Sequence, residues 1–174
     1  MPERKLKNSV AEHRKKSNLF ADVAVITLST SRTLKTDTSG DVIQQLLEEN
    51  GHSVAVRRVI PDDRRALQSL VANLIKNKKV EVIITSGGTG LAPTDVTIEG
   101  VRGMLDKELP GFNSLFMFLS YPQVKSAAML SRAMAGIIGR TLIICLPGSP
   151  RACKLAIESL ILPELGHMLM LLKS

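Results

Sequence analysis

The sequence predicts an α/β protein whose parallel sheet is covered by helices on both faces. Short, β-branched apolar runs alternate with segments of helical period along residues 22–174, and parallel strands need crossovers of that kind. The segments rich in Gly, Ser, Thr and Asp fall just after those runs, where open parallel sheets bind their ligands. A chain of 174 residues suits one domain with its own core, since domains hold ~100–200 residues.

The first strand is read at Asp22–Leu28 (DVAVITL), a run apolar enough to be buried on both faces. Ser29 to Gly40 follows as a Ser/Thr-rich loop, of a length usually tied to function. Residues 41–50 place apolar side chains at 42, 43, 46 and 47, one face of a helix, and Gly51 stops it. Ser53–Ile60 is the second strand. Pro61 breaks it, and Asp62 or Asp63 is placed to cap a helix running to Asn77. Val80–Thr85 is the third strand, followed by SGGTGLAP, which cannot be regular structure, and by a helix over Val96–Lys107. After Pro110-Gly111, the apolar segment Phe112–Tyr121 (FNSLFMFLSY) reads as a core helix. Ser126–Met134 reads as a further helix, with a turn at Gly136–Arg140. Thr141–Leu146 is the last strand, and a helix runs from Arg151 to the C-terminus. There is no repeat and no internal linker.

Composition excludes several classes. Hydrophobic residues at 44% and charged residues at 22% rule out wholesale disorder. The unbroken apolar runs are shorter than the ~18 residues of a membrane span, so no membrane partner is expected. Residues 1–16 are polar and basic without an apolar stretch, which reads as no secretory leader. Of the two cysteines, Cys145 sits in an apolar run and neither belongs to a metal-like cluster, which points to the cytoplasm. The net charge is +7, but six basic and two acidic side chains within residues 1–18 put +4 there and leave +3 on the rest. Residues 1–18 therefore read as a basic, flexible tail and residues 19–174 as the domain. With no Trp and one Tyr, the chain has no stacking platform, and nucleic acid is not an expected partner.

Four strand ends carry the candidate site: Ser29-Thr30, Pro61-Asp62, Ser86–Gly90 leading to Pro93-Thr94-Asp95, and Pro147–Pro150. Gly87, Gly88 and Gly90 let backbone N–H groups approach an anion, and Ser86 and Thr89 add hydroxyls. The loop matches neither the Walker nor the dinucleotide fingerprint; alone it is equally a tight strand-to-helix turn. Asp62 and Asp95 each stand where a helix cap is wanted. Together, beyond neighbouring strands, they suit one Mg²⁺. Arg132 and Lys154 are candidate anion contacts, Lys154 because it follows the Pro147–Pro150 loop into a helix; singly, such side chains are otherwise solvated surface. His13, His52 and His167 show no ligand spacing and read as structural. The Met-rich end, His167–Leu172, reads as core or subunit interface.

The ordered set Ser86-Gly-Gly-Thr-Gly90, Pro93-Thr-Asp-Val-Thr97, Pro110-Gly-Phe112, Ala128-Met-Leu-Ser-Arg132 with Ala135-Gly136, and Leu146-Pro-Gly-Ser-Pro150 resembles the MoaB/MogA family of molybdenum-cofactor biosynthesis proteins, which includes the gephyrin G domain. The likeness runs from Asp22 to Leu171, and Thr33–Gly40 (TLKTDTSG) is similar to the MoaB branch. The resemblance implies a three-layer α/β/α fold with a mostly parallel sheet. It implies Mg²⁺-dependent transfer of AMP from ATP to the terminal phosphate of molybdopterin, releasing pyrophosphate, the product passing to a downstream metal-insertion protein. It places catalysis and metal binding on Asp62 and Asp95. Pterin and nucleotide binding would fall to Ser29, Ser86–Gly90, Thr94, Ser131, Arg132, Pro147, Gly148, Ser149 and Lys154. It also implies a trimer or hexamer, to which the apolar segment Phe112–Leu119 and the C-terminal helix would contribute surface.

One position departs from the family pattern. Ser29 is followed by Thr30 where the family usually has Asp, and whether Asp37 substitutes for that carboxylate is open in the sequence. The alternative implied is a molybdopterin-binding carrier of the MoaB branch without catalysis. A nucleotide-binding enzyme of related architecture, such as a competence-damage domain, is a third reading, opposed by the Ser131-Arg132 and Pro147–Pro150 motifs.

Overall fold

The alternation of apolar runs and helical segments folds as a three-layer sandwich. A computed structural model describes residues 19–76 and 80–174; the basic segment 1–18 lies outside the described residues. In chain order the elements are β1 (Asp22–Leu28), α1 (Thr38–Glu49), β2 (Ser53–Ile60), α2 (Arg64–Lys76), β3 (Val82–Ser86), α3 (Thr97–Arg102), β4 (Lys107–Glu108), α4 (Pro110–Val124), a 3₁₀ segment (Lys125–Leu130), β5 (Met134–Ile138) and β6 (Thr141–Leu146). A continuous helical stretch closes the chain: α5 (Pro150–Ala156), a π segment (Ile157–Ile161) and α6 (Leu162–Lys173).

The sheet order is β2-β1-β3-β6-β5-β4. β1 is parallel to β2 and β3, and β3 to β6, while β5 is antiparallel to both β6 and β4. Because strand side chains alternate between faces, Val23, Val25, Ile84 and Ile144 pack with Ile43 and Leu47 of α1, Phe116 of α4, and Ile157, Ile161 and Leu165 of the closing stretch. Ala24, Ile26, Ile83 and Ile143 face the other way, onto Leu67 and Val71 of α2 and Ile98 of α3. The chain leaves β1 through α1 on one face and returns to β3 through α2 on the other. The β1–β3 boundary is therefore the topological switch point, where open α/β sheets form their ligand crevice.

β1, β2 and β6 have the limits read from the sequence. α1 starts earlier than expected, at Thr38, because Asp37 caps it by accepting from Gly40 N. The helix expected over Val96–Lys107 ends at Arg102, and residues 107–108 pair with β5 as a short edge strand. The helical reading of Ser126–Met134 and the turn at 136–140 are corrected: the helix stops at Leu130, and Met134–Ile138 is β5, turning at Gly139 (φ 60°) into β6. Gly136 suits this strand because a methyl there would press on the Lys107 carbonyl at 2.7 Å.

α4 forms as expected but is not a core helix. Phe116 and Ser120 are its buried residues, while Leu115 (54%), Phe118 (74%) and Tyr121 (57%) stay exposed. The stretch Pro150–Lys173 is long and apolar enough by composition to cross a membrane. In this fold Cys153, Ala156, Ile157, Ile161, Leu165 and Leu169 join the core against the sheet.

Candidate functional site

The loops after β1, β3 and β6 meet backbone to backbone at the switch point. Gly87 N donates to Leu146 O at 3.0 Å, and a methyl on Gly148 would stand 3.2 Å from Gly87 Cα. Gly87 has φ 91°, and any side chain there would collide with the Leu28 carbonyl oxygen. Glycine is required by both the dihedral and the space. Thr97, which opens α3, ties this loop from the far side: its Oγ1 donates to Gly87 O at 2.8 Å and its N to Gly88 O at 2.9 Å.

Both candidate aspartates lie against the glycine loop. A methyl on Gly88 would stand 3.2 Å from Asp62 Oδ1, and one on Gly90 would stand 2.6 Å from Asp95 Oδ2. Neither aspartate caps a helix. Asp63 takes that role for α2, accepting from Ala66 N at 2.6 Å, and Asp62 Oδ2 instead accepts from Thr30 N at 3.1 Å. The cap position of α3 is Val96, with no side-chain cap bond, and Asp95 Oδ2 closes its own turn by accepting from Ala92 N at 2.8 Å. No hydrogen bond among the described residues reaches Oδ1 of either carboxylate.

Arg132 is placed differently from a free anion contact. Its Nε donates to Thr89 O (2.8 Å) and its Nη2 to Gly90 O (2.7 Å), so it grips the loop by its carbonyls. Nη1 pairs with Glu99 Oε1 at 2.5 Å. The Arg132 hydrogen bond holds the Glu99 carboxyl below its ordinary range, against the smaller opposing effect of burial. Lys154 is exposed and pairs with Glu158 at 3.8 Å, one turn along its own helix. Ser131 and Ser149 are brought together, lining a cleft of about 80 Å³ between α4 and α5. Ser149 also caps α5. Thr94 is exposed in the loop, whereas Thr89 is buried.

Ser86 is turned inward. Its hydroxyl lies 3.1 Å from Thr27 Oγ1, fully buried, so it supports the site from beneath rather than offering a donor to a ligand. Thr27 donates in turn to Asp37 Oδ2 at 2.7 Å. Asp37 is also fully buried and accepts from Ser39 Oγ, Gly40 N and Arg57 Nη2. Burial pushes its carboxyl up, but the bonds from Arg57, Thr27 and Gly40 outweigh this and leave it below its ordinary range. Locked in this way, Asp37 does not replace the carboxylate absent at Thr30.

Sequence reasoning missed Arg32. Its Nη1 donates to Ser39 Oγ (2.9 Å) and Gly148 O (3.2 Å), joining the loops after β1 and β6. The sequence signal was its place in the long loop after β1, but its partner lies 116 residues away. At the opposite ends of the strands a cleft of about 430 Å³ borders Val80, Thr141 and Leu169. It holds the Glu81–Lys173 ion pair (2.6 Å) and none of the glycine-loop chemistry. Among the described residues no group of three or more His, Cys, Asp or Glu is placed to hold a metal ion. Any cation here would take its remaining ligands from water and substrate.

These features define a doubly wound α/β protein with a glycine-loop site at its switch point. Residues 24–167 match the family described as "Probable molybdopterin binding domain", and the chain belongs to this MoaB/MogA family of molybdenum-cofactor biosynthesis proteins. It is 44% identical over 161 residues to molybdenum cofactor biosynthesis protein B of Bacillus cereus, covering 92% of this chain and 95% of that one. It is 42% identical to the protein of the same name from Bacillus subtilis, with the same coverage. A crystal structure of a molybdenum cofactor biosynthesis protein B superposes with a TM-score of 0.87 at 43% identity, covering 89% of this chain and 97% of the other. The tungsten cofactor synthesizing protein MoaB from Pyrococcus furiosus gives 0.79 at 34% identity, covering 89% and 98%. The protein CinA from Thermoplasma acidophilum, at 20% identity and a TM-score of 0.56, shares the fold alone.

Proposed function

We propose that this chain adenylylates molybdopterin: AMP passes from ATP to the terminal phosphate of molybdopterin, with Mg²⁺, giving adenylylated molybdopterin and pyrophosphate. The observation that carries this reading is the placement of Asp62 and Asp95, from two different strand ends, against Gly88 and Gly90 of one loop. Phosphoryl chemistry asks a protein mainly for positioning and charge neutralisation. On this reading the glycine loop holds the pterin phosphate. An oxygen of that phosphate attacks the α-phosphorus of ATP. The bond from that phosphorus to the oxygen bridging to the β-phosphate breaks, and pyrophosphate leaves. Two carboxylates, each with Oδ1 unengaged, fit Mg²⁺, which binds through one or two carboxylates plus water and phosphate oxygens. When bound, Mg²⁺ neutralises charge on the phosphates.

A second reading, a molybdopterin carrier without catalysis, is favoured by Thr30 together with the locked position of Asp37. Incubation with molybdopterin, ATP and Mg²⁺, followed by mass spectrometry, separates the two. Adenylylated molybdopterin made by the native chain, and lost in Asp62→Asn and Asp95→Asn while pterin binding persists, supports the transferase. Retained pterin with no product supports the carrier.

The exposed apolar side of α4 supports a further part of the reading, that the chain works as a homo-oligomer. Met117, Phe118, Tyr121 and Met129 border an apolar groove of about 580 Å³, and apolar side chains grouped on an exposed face suit contact with another chain. The cytoplasm, and a downstream metal-insertion protein as recipient of the product, complete the proposal.

A further inference from the structure

We infer that the cleft beyond the carboxyl ends of β1 and β2 is a diphosphate subsite, taking the β- and γ-phosphates of the nucleotide through Arg32 and Arg58. The identity of the nucleotide rests on the adenylyl-transfer reading above.

The cleft has a volume of about 480 Å³, and Ser29, Thr30, Arg32, Arg58 and Pro61 are among its lining residues. Its charged lining groups are the two guanidinium groups; no carboxylate lines it. Asp62 stands at its rim, tied to Thr30 N at 3.1 Å, so the cleft adjoins the proposed reacting centre. Arg32 is held in place before any ligand arrives. One nitrogen, Nη1, bonds Ser39 Oγ and Gly148 O, and Ser39 donates to the fully buried Asp37 at 3.1 Å. No partner among the described residues takes the hydrogens on Nε and Nη2. Arg58 is anchored through Nη1 to Arg57 O at 3.0 Å and is otherwise exposed. Fixed guanidinium forks match phosphate oxygens in geometry and charge. Two forks on one cleft suit a diphosphate better than a single phosphate. Thr30 keeps the cleft cationic, where a carboxylate would repel the ligand.

The test is calorimetric titration of the full chain with inorganic pyrophosphate and with orthophosphate, in chelator so that no metal contributes. Pyrophosphate is expected to bind at least about tenfold more tightly than orthophosphate, and to displace ATP but not molybdopterin. Arg32→Gln and Arg58→Gln should each weaken pyrophosphate binding by about tenfold, the loss of one hydrogen bond to a charged group, and Thr30→Asp should weaken it by charge repulsion. Arg58 is exposed, so its variant reports on binding even where Arg32→Gln disturbs the fold. Unchanged pyrophosphate affinity in Arg58→Gln and in a folded Arg32→Gln would overturn the inference. So would displacement of molybdopterin by pyrophosphate. AMP transfer by the native chain alongside arginine-independent pyrophosphate binding overturns this subsite and leaves the transferase standing. Arginine-dependent, ATP-displacing pyrophosphate binding without AMP transfer upholds the subsite and overturns the transferase.

Discussion

Asp37 Oδ2 lies 2.8 Å from Arg57 Nη2, with the carboxylate fully buried and the guanidinium nearly so. This pair sits beneath the loops of the site and anchors the chain of bonds from Ser86 to Arg32. Removing the cation leaves a buried charge, so Arg57→Met should lower stability by about 3–5 kcal/mol in urea unfolding. The pair also sets a pH dependence. Because the folded carboxyl is held below its ordinary value of 3.8, its stabilisation is whole above that value and is lost as pH falls through the lowered one. Asp37→Asn should flatten the acid limb of the stability curve below about pH 4.

Gly87→Ala should cost about 1–2 kcal/mol for its left-handed backbone alone, and more for the displaced Leu28 carbonyl. Molybdopterin binding should fall with it. Gly103→Ala is the control, since its methyl meets nothing within 4 Å. It should leave binding unchanged and stability unchanged or raised by up to about 1 kcal/mol. Thermal unfolding and a binding titration read both.

Arg132→Lys keeps the charge and loses the fork. A point-like ammonium cannot serve the Thr89 and Gly90 carbonyls and Glu99 together. Pterin affinity should drop about tenfold while the melting temperature moves little. An equal loss in Arg132→Lys and in Glu99→Gln would assign the effect to the ion pair rather than to the grip on the loop.

Burial pushes both thiols up to about 12, Cys145 and Cys153 alike. The thiolate is the reactive form, so neither should react with a disulfide reagent at pH 8 in the native state. Both should react on unfolding. Fast labelling of folded protein would contradict their buried positions.

Phe118, 74% exposed on α4, is the residue whose change should show whether this face binds a second copy. Phe118→Glu should shift light-scattering mass toward the monomer and leave the circular-dichroism spectrum unchanged. A native chain that is already monomeric would remove the oligomer from the proposed function.

The parts of the fold legible in the sequence are those where one local signal decides. β1, β2 and β6 are apolar, β-branched runs ended by polar or glycine-rich loops, and their limits follow. β5 was not legible because Ala, Gly and Met in residues 133–136 carry no strand preference; pairing with β6 and β4 makes them a strand. The exposure of α4 was not legible because an apolar helix in sequence looks the same whether it faces the core or a partner. For the site, the rule that ligands gather beyond strand ends put Asp62, Asp95 and the glycine loop together. It could not tell which hydroxyl points inward, as Ser86 does, or that Arg132 and Arg32 reach carbonyls far along the chain. Those outcomes depend on long-range contacts that no local pattern encodes.

The π segment at Ile157–Ile161 has a geometric consequence for the end of the chain. Cys153, Ile157, Ile161, Leu165 and Leu169, all in the core, recur at every fourth position. In an unbroken α-helix such a row winds around the cylinder by about 40° per step, so the last members would rotate away from the strands. The wider π turn takes up part of that rotation. Regular α winding over the same residues would swing Leu165 and Leu169 off the sheet, whereas deleting one residue within 157–161 would let α winding return with both still facing it. The segment thus acts as a phase correction, keeping a 24-residue apolar stretch in step with the layer it covers.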